Sequence, residues 1–288
     1  MIIRPAVQSD IAPAIELLHG KMSRKISPER WRRIFEYDWG MRKPNYGYVA
    51  EVDQRIVGYV GAIHSDRIVD GNRLGITNMC AWYLEKDHRG NGAGLRLMAE
   101  ATSDPERHFT SMTSTSNPRT MGVLRAAGFE SLDDFRWDWQ RNAQSTDNIE
   151  AISEIEEILS RSTEQEQDIL QDLLPFGVVP IVFRKGDFET LIVFASTVKG
   201  DDQPWLDVLY TRDARSGFLA EFGQQIANIL LPSNDAVLSA DRRFCGKDPA
   251  SGTQITLPAP RFVKSPSLSG SAVDHLYTEL QLLSLKLD

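Results

Sequence analysis

Apolar positions along the chain switch between two spacings, and each switch marks an element. "MIIRPA" has the extended character of a short strand. Ser9 or Asp10 can then cap a helix in which Ile11, Ile15, Leu18 and Met22 recur at helical spacing. Ser27 and Pro28 supply a cap and a first-turn residue for a second helix carrying Trp31, Ile34 and Phe35. The period then falls to two. "GYVAEV" and "RIVGYVGAIH" are separated by Asp53 and Gln54, and "RLGITNMCAWYL" follows the turn residues Asp70 and Gly71, which predicts a three-stranded meander. Helical spacing returns in "GLRLMAEATS", with Leu95, Met98 and Ala99 on one side. A strand "HFTSMTSTS", a helix from Pro118 to Ala126 ended by Gly128, and the alternating "FRWDWQ" complete a first half.

A polar junction, "NAQSTDNIE", separates this half from a second one. After a helix with Ile152, Ile155 and Leu159 come "VVPIVFR", "ETLIVFA" and "WLDVLY", then the helical "ARSGFLAEFGQQIANILL" and "DAVLSA". Three strands, a helix and a strand repeat the order of the first half. The pattern predicts two α+β domains, residues 1–143 and 144–288, the second being either a copy of the first or an unrelated fold. A final helix would carry Leu276, Tyr277, Leu280 and Leu283 on one face.

The stretch "LEKDHRGNGAGLRLM" carries the clearest chemistry. A strand that runs into glycines and then a helix is an anion site, because the free N–H groups of the first helical turn converge where the helix dipole is positive. Gly90, Gly92 and Gly94 are spaced as GxGxG, which is neither the dinucleotide fingerprint nor a P-loop.

Composition narrows the classes. The 288 residues are 41% hydrophobic and 25% charged, as in a globular protein, and no apolar run approaches the roughly 18 residues of a membrane helix. A net charge of −8 argues against a general nucleic-acid binder. Cys80 and Cys245 are too few for a disulfide framework and lack metal-ligand spacing. With no export signature at the start, reduced thiols in a cytoplasm are expected, with no metal, no membrane partner and the oligomeric state open.

Three motifs in order resemble the GNAT superfamily of acyl-CoA-dependent N-acyltransferases over roughly residues 1–140: "IRPAVQSDI", the loop "RGNGAG", and "SNPRTMGVLRAAGF". The resemblance implies a mixed, mostly antiparallel sheet flanked by helices, with acetyl-CoA as acyl donor. It assigns the coenzyme A pyrophosphate to Arg89, Gly90, Asn91, Gly92, Ala93 and Gly94, and the pantetheine arm to the main chain near Trp82, Tyr83 and Leu84 and to Asn117. The second half then reads as a degenerate GNAT-like copy, since "DARSGF" retains only Arg215 and Gly217 of the loop.

Acyl transfer from a thioester to an amine needs a neutral nucleophile, a polarised carbonyl and a proton for the thiolate. The tyrosine that often supplies that proton in the family is replaced here by Leu124, which leaves Ser114, Ser116 or water. For the base, a two-residue turn at Asp70 and Gly71 sets His64 opposite Thr77 with Asn78 beside it, and an unperturbed imidazole titrates near ~6.5. A surface or structural role for His64 is the alternative, and Glu51 ranks below it. Cys80 shares parity with Asn78 and Trp82. Trp31, Tyr37, Trp39 and Tyr46 can either stack on a small-molecule amine or amino-sugar acceptor or fill the core. A coenzyme A-binding module without turnover is the competing function.

Overall fold

Residues 1–39, 43–69, 71–112, 117–142 and 149–287 are described by the structure, a computed structural model. The chain divides into two compact units, and not by a single cut. Unit 1 holds Met1–Ser131, Arg261–Leu268 and Tyr277–Leu285; unit 2 holds Leu132–Pro260, Ser269–Leu276 and Lys286–Asp288. The junction at residues 143–148 lies outside the described residues.

In unit 1, β1 (Ile2–Pro5), β2 (Tyr48–Val52), β3 (Arg55–Val69) and β4 (Asn72–Leu84) pair antiparallel in sequence order, and β5 (His108–Met112) lies parallel to β4. Asp53 and Gln54 make the β2–β3 turn with φ of 48° and 63°, the left-handed pair that suits the twist of a two-residue hairpin. The β3–β4 register sets Val69 opposite Asn72 and His64 opposite Thr77, as the hairpin reading expects.

Further along, that register slips. Tyr59 faces Tyr83 but Gly61 faces Cys80, so β4 holds an extra residue, and Ala81 has φ of 47°. This bulge corrects the expected parity, because one added residue turns the following side chains to the other face. Trp82 consequently packs with Met79 against the cluster formed by Leu97 and Met98 of α3 (Ala93–Ala101) and Leu124 of α4 (Pro118–Ala126), while Asn78 leaves the strand on the opposite side from Met79.

The helices α1 (Ile11–Leu17) and α2 (Pro28–Glu36) form where their caps and periodicity place them. Ser27 Oγ accepts the amide of Arg30 at 3.3 Å, and α2 buries Trp31, Ile34 and Phe35. Tyr37 and Trp39 are buried as well, so these aromatics serve the core.

Unit 2 contains most of β6 (Glu130–Trp139), followed by β7 (Glu150–Ile152), β8 (Val178–Lys185), β9 (Phe188–Lys199), β10 (Gln203–Thr211) and β11 (Val237–Asp241). The pairs β7–β8, β8–β9 and β9–β10 are antiparallel, β10–β11 is parallel and β11–β6 antiparallel. Its helices are α5 (Ile155–Ser160), α6 (Glu164–Leu173), α7 (Phe218–Leu230) and α8 (Arg242–Cys245). The order of pair directions is that of unit 1, where β5 is followed by the antiparallel stretch from Arg261 to Lys264 at the end of β12 (Thr253–Lys264). The fold is therefore mixed α+β with mostly antiparallel strands.

The chain ends differently from the expected helix carrying Leu276, Tyr277, Leu280 and Leu283. Only α9 (Glu279–Leu282) forms, capped by Thr278 and Gln281, because Tyr277 has φ of 57° and cannot continue it. Leu276, Tyr277, Leu280 and Leu283 are nonetheless all buried. Among the described residues no helix is long and apolar enough to cross a membrane.

Candidate active site

The end of β4, the loop at 89–94 and the first turns of α3 and α4 enclose a cleft of about 700 Å³. Its lining includes Trp82, Tyr83, Leu84, Arg89, Gly90, Gly92, Gly94 and Asn117, eight of the ten residues expected to hold coenzyme A. Gly90 and Gly92 have φ of 89° and 78°, and a Cβ on either would meet nothing within 4 Å. Both are thus required by backbone conformation, and the space above them is open. Gly92 is the N-cap of α3 in the left-handed region, which turns the first helical amides toward the cleft.

The other two expected residues support the loop from behind. Asn91 Oδ1 accepts the Ala93 amide at 3.1 Å, and Ala93 is buried in the core beneath. Arg89 Nε donates to the Leu84 carbonyl at 2.6 Å and its guanidinium lies 5.1 Å from the Tyr83 ring centroid, so the cation is held at the cleft wall. Asn117 caps α4 by accepting the Arg119 amide at 3.0 Å.

Arg119 and Thr120 also line the cleft and were not anticipated. Their signal lay in the motif itself, since an arginine two residues after a helix-capping Asn stands in the first turn, beside that Asn.

The corresponding loop of unit 2, residues 211–217, is built differently. Gly217 caps α7 with φ of 73°, yet a Cβ there would lie 3.0 Å from Lys247, and one on Gly246 would lie 2.2 Å from the Ala214 carbonyl oxygen. Phe218 follows at once and stacks on Phe188 at 5.3 Å. The space that is open in unit 1 is filled.

His64 lies elsewhere than a base poised near neutrality would. It is buried, with Nδ1 2.9 Å from Thr77 Oγ1 and its backbone N–H donating to Tyr37 Oη at 2.8 Å. Burial, helped by the Arg107 charge, lowers its pKa to about 3. This corrects the expectation of a titration near 6.5: the ring is neutral at pH 7 but has little affinity for a proton. Glu51 is held by Arg4, which also binds Asp10. Leu124 is buried in the core. Ser114 and Ser116 lie outside the described residues.

The His64 shift has a measurable consequence. Between the folded value and the unfolded one near ~6.5, the unfolded chain binds the extra proton, so this contribution is complete above pH ~6.5 and is lost as pH falls. His64→Gln should make unfolding free energy less steep between pH 6.5 and 4, by up to about 1.4 kcal/mol per pH unit. An unchanged slope in denaturant titrations would show that His64 titrates freely.

Residues 13–129 match the sequence model of the Acetyltransferase (GNAT) family. Solved structures similar to the chain include a GCN5-related N-acetyltransferase from Anabaena variabilis (15% identity, 91% of this chain and 72% of that one, TM-score 0.54). Eis1 from Mycobacterium abscessus is another (11% identity, 92% and 74%, TM-score 0.51). At these identities the likeness is one of fold. No curated protein sequence shows significant similarity to the chain.

Proposed function

We propose that the protein transfers an acyl group, most simply acetyl, from coenzyme A to an amine of a small molecule or sugar. The observation that carries this reading is the open space over Gly90 and Gly92 at the start of α3, flanked by Arg89 and Arg119. The amine nitrogen would attack the thioester carbonyl, the C–N bond forming as the C–S bond breaks, and the thiolate would take a proton from solvent in the absence of the family's tyrosine. Unit 2 is read as a second copy whose phosphate loop has closed.

Calorimetry with coenzyme A should therefore give one site per chain, and acetyl-CoA should release thiol with at least one member of a panel of amines. Two equivalent sites would overturn the reading of unit 2. Binding without thiol release would favour the second reading, a coenzyme A-binding module without turnover, for which the buried Leu124 in the tyrosine's place speaks.

A further inference from the structure

Pairing between β4 and β5 ends with Met79 opposite Ser111, while β4 runs on to Leu84 at the cleft. From Leu84 back to Asn78 is about 20 Å of strand at ~3.3 Å per residue, and a pantetheine arm laid along 82–84 leads toward the point where the two strands part. Asn78 pairs with Thr110 next to that point, and Thr110 Oγ1 donates to Asn78 Oδ1 at 3.2 Å. The other end of the Asn78 amide is committed too: Nδ2 donates to the carboxyl of Glu279.

We propose, on the basis of the acyltransferase reading, that Glu279 is the general base that accepts the proton of the attacking amine. As the new C–N bond forms and the thioester C–S bond breaks, that proton passes to the Glu279 carboxylate, and the thiolate is protonated by water.

Three independent observations converge on this residue. The Asn78 side chain is held between Thr110 and Glu279, so the carboxyl is fixed beside the parting strands. Glu279 follows Tyr277, a bulky residue at φ of 57° whose ring lies 4.8 Å from Trp39 and 5.5 Å from the Arg67 guanidinium. A left-handed tyrosine is unfavourable and persists only where its surroundings over-determine it, here by its packing on Trp39 and Arg67 at the start of α9. Finally, burial pushes the Glu279 carboxyl up to about 7, a value matched to proton transfer at neutral pH. The groups facing it from neighbouring elements are Cys80 on β4, whose thiol is raised by burial and by the Glu279 charge, and Arg261 on β12, which opposes the rise; Arg67 on β3 is engaged with Tyr277. His64 is bonded to Thr77 and its pKa is lowered to about 3 by burial, so it holds too little proton affinity for the role.

Glu279→Gln preserves an acceptor for Asn78 and removes the base. Acetyl-CoA affinity is measured by calorimetry, and thiol release is followed with benzylamine, spermidine and glucosamine from pH 5.5 to 8.5. Wild type should show a rate limb with an apparent pKa near 7. The variant should bind acetyl-CoA within about twofold of wild type, turn over at least about 30-fold more slowly, and lose the limb. Equal rates and profiles for the two proteins, or a wild-type profile without the limb, would overturn the assignment of Glu279 alone. Wild type that binds no acetyl-CoA, or binds it and releases no thiol with any amine, would overturn the acyltransferase reading and this assignment with it. If the Gln variant does not fold, Glu279→Asp decides: the limb should remain with the rate lowered about tenfold, and an unaltered rate would refute the role.

Discussion

Gly92→Val should weaken coenzyme A binding by about 100-fold or more, equivalent to losing one or two charge-assisted hydrogen bonds at ~1.5–3 kcal/mol each. The valine methyls would stand in the open space at the residue that caps α3, where the proposed function needs backbone to approach phosphate. Valine at φ of 78° also carries a backbone penalty, of order 1–3 kcal/mol, that has nothing to do with the ligand. Gly71 supplies the control, because it too has φ of 78° and open space around it, but in the β3–β4 turn. Gly71→Val should lower the melting temperature comparably and leave affinity unchanged in calorimetry. Equal affinities for both variants and wild type would remove the phosphate role of the loop.

The parts legible in the sequence were those set by local chemistry. The glycine loop, the Asn117 cap and the β3–β4 register each depend on residues within a few positions of one another, and eight of the ten expected coenzyme residues meet at one cleft. Alternation could not reveal the bulge at Ala81, since its backbone conformation is imposed by pairing with β3 and leaves no mark on the side-chain pattern. His64 was placed correctly on its ladder, but its protonation is decided by burial and by Arg107, which the sequence separates by more than forty positions. Glu279 escaped for the same reason in stronger form. It reads as an ordinary helix residue near the end of the chain, and only the return of Tyr277–Leu285 to unit 1 brings it to Asn78, 201 positions away.

The largest effect on stability is expected within unit 2, from Arg243→Met. Arg243 is buried, and its guanidinium binds Asp133 of β6 and Asp241 at the end of β11 while Nε donates to the Val273 carbonyl at 2.7 Å. His275 Nε2 completes the cluster 2.7 Å from Asp241. Methionine keeps much of the volume but leaves two carboxylates in a dry interior, and breaking a buried pair from one side costs about 3–5 kcal/mol. Burial already raises the Asp133 pKa, and without the cation nearby it rises further. A carboxyl whose folded pKa exceeds its unfolded value near ~3.9 is best tolerated below that value and destabilises progressively as pH rises through the folded pKa. The gap between wild-type and variant urea midpoints should accordingly be widest at pH 7 and narrow toward pH 5. Arg184→Met, which removes an exposed partner of Glu150, should shift the midpoint little at any of these pH values. If Arg243→Met behaves like Arg184→Met, or if its deficit does not shrink on acidification, Asp133 and Asp241 are solvated in solution and the cluster is not the buried keystone of unit 2.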